Sequence, residues 1–361
     1  MHIGLKEVDE LAFGSAILGT GGGGDPYIGS LMLKKAIADK GPVELIDPKH
    51  VERDSLVLPV AMMGAPVVMI EKLPGGSEVV RALKAYETIY EEHVDYISTI
   101  EIGGINSTIP LMVAAKTRLP LPDGDGMGRA FPELQMVSFH LKGINASPVI
   151  MFDERGNLNI VNSVDDFWAE KIARAVTGRF GGSAYIALYK MRGAQYKNSL
   201  VRGSVSKAIE IGRRLLDKRK SGKNVLDELL DLTKGYELFR GKIVDVNRRI
   251  EKGFARGTVS FQGLDSYQQR QMQIDFQNEN LVARVDNHYL ATVPDLIVIL
   301  DIETFKPITT ERLRFGFRAI VIGMPCEKIW RTKQGLKVAG PRYFGYDVDY
   351  IPIEKRAAYE N

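Results

Sequence analysis

Residues Val94–Thr117 read VDYISTIEIGGINSTIPLMVAAKT, and this stretch decides the fold. Its first part is a β-branched and aromatic run that ends on Glu101 and two glycines. Its last part, STIPLMVAAKT, is a helix with Ser107 placed to cap it. The same alternation continues outward. Upstream, LVLPVAMMGAP (56–66) is an apolar run typical of a strand covered on both faces, and the full stretch to Ile70 reads as a buried strand or a pair of strands. Between the two, residues 76–93 recur at helical spacing with no internal proline or glycine. Further upstream lie a short strand, PVELID, and helices over Tyr27–Ala38 and Val8–Leu18. Downstream, LPLPDGDG is a short strand and turn. Strands alternating with helices predict a layered α/β domain with a mainly parallel sheet.

The second half changes character. DDFWAEKIARAVTGRF is helical and GGSAYIALYKMR is a strand. Helices follow over Val205–Lys218 and Val225–Thr233. Beyond Tyr236 come short β-rich runs parted by turn residues, with a turn at Asp286–Asn287. The expected class is α/β: a layered domain over residues 1–165, then a helical connector and a β-rich, barrel-like domain over 166–361.

The bulk numbers fit such a protein. Of 361 residues, 45% are hydrophobic and 26% charged, and the net charge is +3. The one basic cluster, Gly212–Lys223, reads as a solvated helix end, so no nucleic-acid partner is expected. No run reaches the ~20 apolar residues of a membrane helix, and no signal peptide is evident. A single cysteine, Cys326, forms no internal disulfide, which suits the cytoplasm. It reads as a packing residue.

In open α/β sheets ligands bind outside the carboxyl ends of strands. Three polar, glycine-bearing loops fit that position. The first is GTGGGGDP (19–26). It has no Walker lysine and follows a helix rather than a strand, so neither nucleotide motif applies. Gly21, Gly22, Gly23 and Gly24 would expose backbone N–H groups to a ligand, with Asp25 at the start of the next helix. In the second loop, Glu101 is a candidate base or acceptor and Asn106 a candidate donor. The competing reading is a tight strand-to-helix turn. The third, PDGDGMGRAFPE (122–133), carries Asp123, Asp125, Arg129 and Glu133. Asp125 and Glu133 are candidate bases, and Arg129 a bidentate carboxylate clamp. The five histidines show no zinc spacing. His140 is the one placed to reach the acidic loop, so a divalent metal on Asp123, Asp125 and His140 is the cofactor to test. In FQNENLVARVD, Asn278 and Asn280 would share one strand face, with Glu279 on the other lining a cleft.

LGTGGGGDPYIG, EIGGINSTIPLMVAA, DGDGMGRAFPELQM, FQNENLVAR, TVPDLI and GPRYFGYD together resemble a bacterial and archaeal family, DUF917, described as S-methyl thiohydantoin desulfurases. The resemblance covers nearly the whole chain. It implies the same two-part fold and a five-membered hydantoin-like substrate from whose ring carbon sulfur is removed by hydrolysis. It also implies a context of hydantoinase and oxoprolinase systems, and we expect a homo-oligomer. In this reading Glu101, Asp125 and Glu133 are catalytic. Gly21–Gly24, Asp25, Asn106, Asp123, Arg129 and Glu279 bind the ring. The alternative is a non-catalytic ligand-binding or regulatory subunit of a hydantoinase-type system.

Overall fold

The computed structural model describes residues 1–64, 68, 77–221 and 224–357. Ala65–Val67 and Met69–Ile70 of the long apolar run, Gly76 of the helical stretch and the last residues of the basic cluster lie outside the described residues. The first unit has helices α1 (Leu5–Leu18), α2 (Pro26–Lys40), α3 (Glu78–Tyr90) and α4 (Ile109–Thr117). Its main sheet contains β1 (Leu56–Gly64), β2 (Tyr96–Thr99), β3 (Val149–Phe152), β4 (Leu158–Val161), β5 (Ser183–Ala187) and β6 (Met191–Arg192). β1 is central and buried from Leu56 to Met63, as its unbroken apolar sequence requires.

The pairing corrects one expectation. Within this sheet only β1 and β2 run parallel, whereas β5 and β6 on β1, and β3 on both β4 and β5, are antiparallel. The reason is local. Asp153 accepts the N–H groups of Arg155 and Asn157 and closes a tight turn, and a tight turn joins only antiparallel strands. The sheet also draws strands from both sides of residue 165, because β5 lies between β1 and β3.

Helices α5 (Asp166–Arg179), α6 (Ser204–Ser221) and α7 (Val225–Thr233) follow. α6 lies against α1 with glycine on both sides. A Cβ on Gly14 would fall 1.8 Å from the Ala208 carbonyl oxygen, and one on Gly212 would fall 1.7 Å from that of Glu10. Only hydrogen side chains permit this approach.

The second unit is a curled antiparallel sheet of seven strands, ordered β11-β10-β9-β8-β7-β13-β12. Here β7 is Tyr236–Glu251, β8 Phe254–Gly263, β9 Gln271–Gln277, β10 Glu279–Val285, β11 His288–Thr292, β12 Leu296–Asp301 and β13 Arg318–Met324. Asp286 and Asn287, both at positive φ, form the expected turn. The curl brings β10 against β12, where Asn280 Nδ2 donates to the Ile297 carbonyl at 2.9 Å. Inside it Phe239, Phe261, Ile274 and Ile299 form a core of their own. Buried Asp295 accepts the N–H groups of Cys326 and Ile353 and the Tyr350 hydroxyl, so it anchors the C-terminal segment rather than lining a cleft. Cys326 packs in the interior as expected, and burial pushes its thiol up to about 12.

The two units are sewn together by the glycine loop. Thr20 Oγ1 donates to the Ile297 carbonyl, and the Thr20 carbonyl accepts from Asn280 N. The Gly21 carbonyl accepts from Thr310 N. A second seam is Trp330, fully buried, which donates to the Met127 carbonyl at 2.7 Å and packs edge-on against Phe131. Burying such a ring contributes about 1.5–3 kcal/mol.

Candidate functional site

Where the units meet there is a cavity of about 80 Å³. A single water needs on the order of 10–15 Å³ by this measure, so a few waters or one small ring fit. Gly23, Met62, Glu101, Asn106, Phe131 and Glu133 form its wall from the first unit, with Arg174 from α5; Asn278 and Glu279 face them from the second. The three loops singled out by sequence thus meet, each through some of its residues.

Glu101 ends the run that follows β2 and is 7% exposed. Its Oε1 accepts from Asn106 Nδ2 at 2.6 Å, while its Oε2 is buried without a partner. Asn106 is held in turn by Met62, whose N–H it accepts at 2.7 Å and whose carbonyl it donates to at 2.9 Å. Asn106 therefore orients Glu101, and its amide is spent within the protein. Burial raises the Glu101 carboxyl to about 7, against the pull of Asn106 and the Phe131 N–H.

Glu279 comes from the tightest reversal in the second sheet. The sequence run read as one strand is two strands, with Gln277 paired to Glu279 around Asn278 at φ +58°. This overturns the expected shared face of Asn278 and Asn280. Asn278 caps the reversal by accepting Ala255 N–H, and Asn280 points to Ile297. Glu279 is 2% exposed, and its Oε2 also lacks a partner. Burial first, then the nearby Glu101 charge, lifts its pKa well above the usual carboxylate range. Burial and the Glu101 charge both favour the protonated form of Glu279, so Glu279 keeps its proton where Glu101 is ionised.

The glycine loop supplies the wall beside Glu279, not a site for a ligand anion. The Gly22 N–H closes a turn on the Gly19 carbonyl, and the Gly23 N–H favours the charged form of Glu279. A Cβ on Gly22 would sit 2.1 Å from Glu279 Oε1, and one on Gly21 2.7 Å from Asn280 Nδ2. The run of glycines is the fit between loop and sheet. Asp25 is elsewhere: it caps α2 through Tyr27 N–H and pairs with Arg312.

The acidic loop divides. Glu133 lines the cavity and accepts from the Tyr343 hydroxyl at 2.6 Å and from Gln135. Asp125 does not line it. Fully buried, it accepts the N–H groups of Ile102, Met127 and Gly128 and so ties the loop to the end of the Glu101 strand. Burial raises its carboxyl to about 7. Asp123 caps α6 by accepting Ser206 N–H. Arg129 is 1% exposed and is not a free clamp. Its Nη1 donates to the Pro294 and Asp295 carbonyls, its Nε to that of Ala130, and its plane lies 4.3 Å over Phe131. Burial lowers its pKa to about 10, opposed chiefly by Glu279. His140 pairs with Asp166 at 2.6 Å, away from the cavity. The expected metal donors Asp123, Asp125 and His140 therefore face three different partners and do not fit one ion. Among the described residues no group of three or more His, Cys, Asp or Glu converges on a metal position. Ser107 also departs from expectation. It donates to the Gly104 carbonyl inside a 3-10 turn, and Thr108 stands at the α4 cap.

Two functional lining groups escaped the sequence, Arg174 and Met62. Arg174 is fixed by Glu170 at 2.6 Å and by the Pro132 carbonyl. Gln135 does not line the cavity but donates to Glu133. A helical arginine and a methionine inside a strand carry no local signal of a site. Tyr343, in the GPRYFGYD stretch near the C-terminus, reaches Glu133.

A layered α/β unit closed by a curled β-sheet, with a paired-carboxylate cavity at the junction, defines the class. The S-Me-THD-like N-terminal domain matches residues 6–163 and the S-Me-THD-like C-terminal domain residues 164–353, so the chain belongs to the S-Me-THD-like family. The X-ray structure of a protein from Chromobacterium violaceum is similar over 98% of this chain and 100% of that one, with 25% identity and a TM-score of 0.81. No curated protein matches the chain. Among the described residues no helix is long and apolar enough to cross a membrane.

Proposed function

We propose that the chain hydrolyses an S-methyl thiohydantoin, converting the ring carbon that bears the S-methyl group into a carbonyl and releasing methanethiol. The observation that carries this reading is the pair Glu101 and Glu279, each with one buried, unpartnered oxygen in a cavity the size of a small ring. Family membership supplies the thiohydantoin.

The roles follow from the surroundings of each carboxyl. Glu101, held by Asn106, is the base; Glu279, whose protonated form burial and the Glu101 charge both favour, is the acid. Water attacks the carbon, giving its proton to Glu101. The C=N pair moves to the ring nitrogen, which takes the proton of Glu279. The carbonyl then forms as the new hydroxyl returns a proton to Glu279. The C–S bond breaks, and the thiolate takes the proton from Glu101. Both carboxyls end as they began. Met62, Met127 and Phe131 give the methylthio group an apolar, polarisable surface.

The test is thiol release from S-methyl thiohydantoins, followed with a thiol reagent. Wild type turns over, and Glu101→Gln and Glu279→Gln each lose about 10²–10⁴-fold while remaining folded. No turnover and no binding across a panel of S-methyl thiohydantoins and plain hydantoins would sink the proposal. Binding without turnover would make the chain a ligand-binding subunit instead.

A further inference from the structure

Helix α5 has two unlike faces. Its inner face carries Glu170 and Arg174, which hold the Leu134 N–H and the Pro132 carbonyl at the cavity wall. Its outer face carries exposed apolar residues, with Lys171 lying 4.8 Å over the Trp168 ring. Trp168 is 51% exposed and Ile172 38%. With exposed Ala175 they fall four and three apart and form one stripe along the helix, and Val164, 85% exposed, stands just before its N-cap. A tryptophan half in water is costly for a lone protein and marks a contact surface.

The stripe ends in opposite charges. Asp165 stands at the N-terminal end and Arg179 at the C-terminal end, both exposed and both seven residues from Ile172. On a helix a seven-residue step returns close to the same face, so both charges flank the stripe. A second identical helix laid antiparallel across Ile172 would bring each Asp165 to the other's Arg179. That is the self-complementary pattern a two-fold interface requires.

We infer that the outer face of α5 is the contact between two copies of this chain, related by a two-fold axis through Ile172. Trp168 packs across the axis, and Asp165–Arg179 pairs close both ends. The inference stands apart from the proposed reaction. It places the contact on the back of the helix that holds the cavity wall.

Sedimentation of the full chain tests it. Wild type runs at twice 40.1 kDa. Trp168→Glu with Ile172→Glu runs at 40.1 kDa with an unchanged circular dichroism spectrum. Should wild type form a larger assembly, the same variant halves it. Arg179→Glu weakens association at least tenfold, and adding Asp165→Lys restores it. Asp165→Asn, which keeps the helix cap, weakens association less than Arg179→Glu does. A wild-type monomer overturns the inference, including one that then co-sediments with vesicles. So does a double-glutamate variant of wild-type mass, or a charge swap that fails to restore association while its melt matches Arg179→Glu.

Discussion

Glu101 and Asp125 lie in adjoining loops, are both buried and are both raised to about 7. Their surroundings differ. Asp125 faces three backbone N–H groups and has no open side. Glu101 accepts from the Asn106 amide, has the Phe131 N–H nearby, and lines the cavity with one buried oxygen unpartnered. A shifted pKa alone therefore does not mark a catalytic group; the unspent hydrogen-bonding capacity does.

The largest expected effect separates the two. Glu101→Gln loses about 10²–10⁴-fold in thiol release with no loss of stability. Asp125→Asn does the reverse. Putting an amide NH2 where one of its acceptor oxygens faces backbone N–H groups lowers the unfolding free energy by about 1–3 kcal/mol, while the folded fraction keeps its rate. Denaturant melts and single-substrate kinetics on both variants check this.

Next comes Gly22→Ala. Gly22 is not in the left-handed region, so the backbone accepts alanine. The new methyl instead displaces the Glu279 carboxylate, and a shift of about 1 Å costs about 10² in rate. Gly178→Ala, where a Cβ would meet nothing and the backbone is helical, leaves the rate unchanged.

How much of this was legible follows from the same contrast. The alternation of Val94–Thr117 gave the layered unit, and short runs after Tyr236 gave the curled sheet, because both depend on local periodicity. Parallel against antiparallel was not legible, since it turned on the Asp153 turn and on β5 inserting between distant strands. The three loops were found because acids and glycines at strand ends are visible in one dimension. Their division of labour was not. Asp123, Asp125 and Asp25 look chemical in sequence, yet each is spent on backbone or a neighbouring charge, and Arg129 is held by three backbone carbonyls with only its buried Nη2 unpartnered. Glu279 was flagged for its position in a polar triplet, but its aim depends on the reversal at Asn278.

A smaller effect is on stability against pH. The Glu101 carboxyl is raised from 4.5 to about 7 on folding, so the native state holds a proton there that the unfolded chain has lost. That disfavours folding increasingly as pH rises from 4.5 to about 7, and fully above it. Glu101→Gln should match wild type at the acid end of this window and exceed it by about 3 kcal/mol above it. Equal differences at both ends would contradict the assignment. The smallest effect is Tyr343→Phe, which removes one donor to Glu133. It raises KM a few-fold, about 0.5–1.5 kcal/mol, and leaves the pH profile in place.

The most direct measurement of the raised Glu101 carboxyl needs no substrate: a pH titration of protein carrying ¹³C at the glutamate side-chain carboxyls, followed by NMR. The account predicts one glutamate titrating near 7, absent in Glu101→Gln and kept in Glu279→Gln, because Glu279 is protonated while Glu101 titrates. A wild-type protein in which no glutamate titrates more than about one unit above its usual value would contradict it.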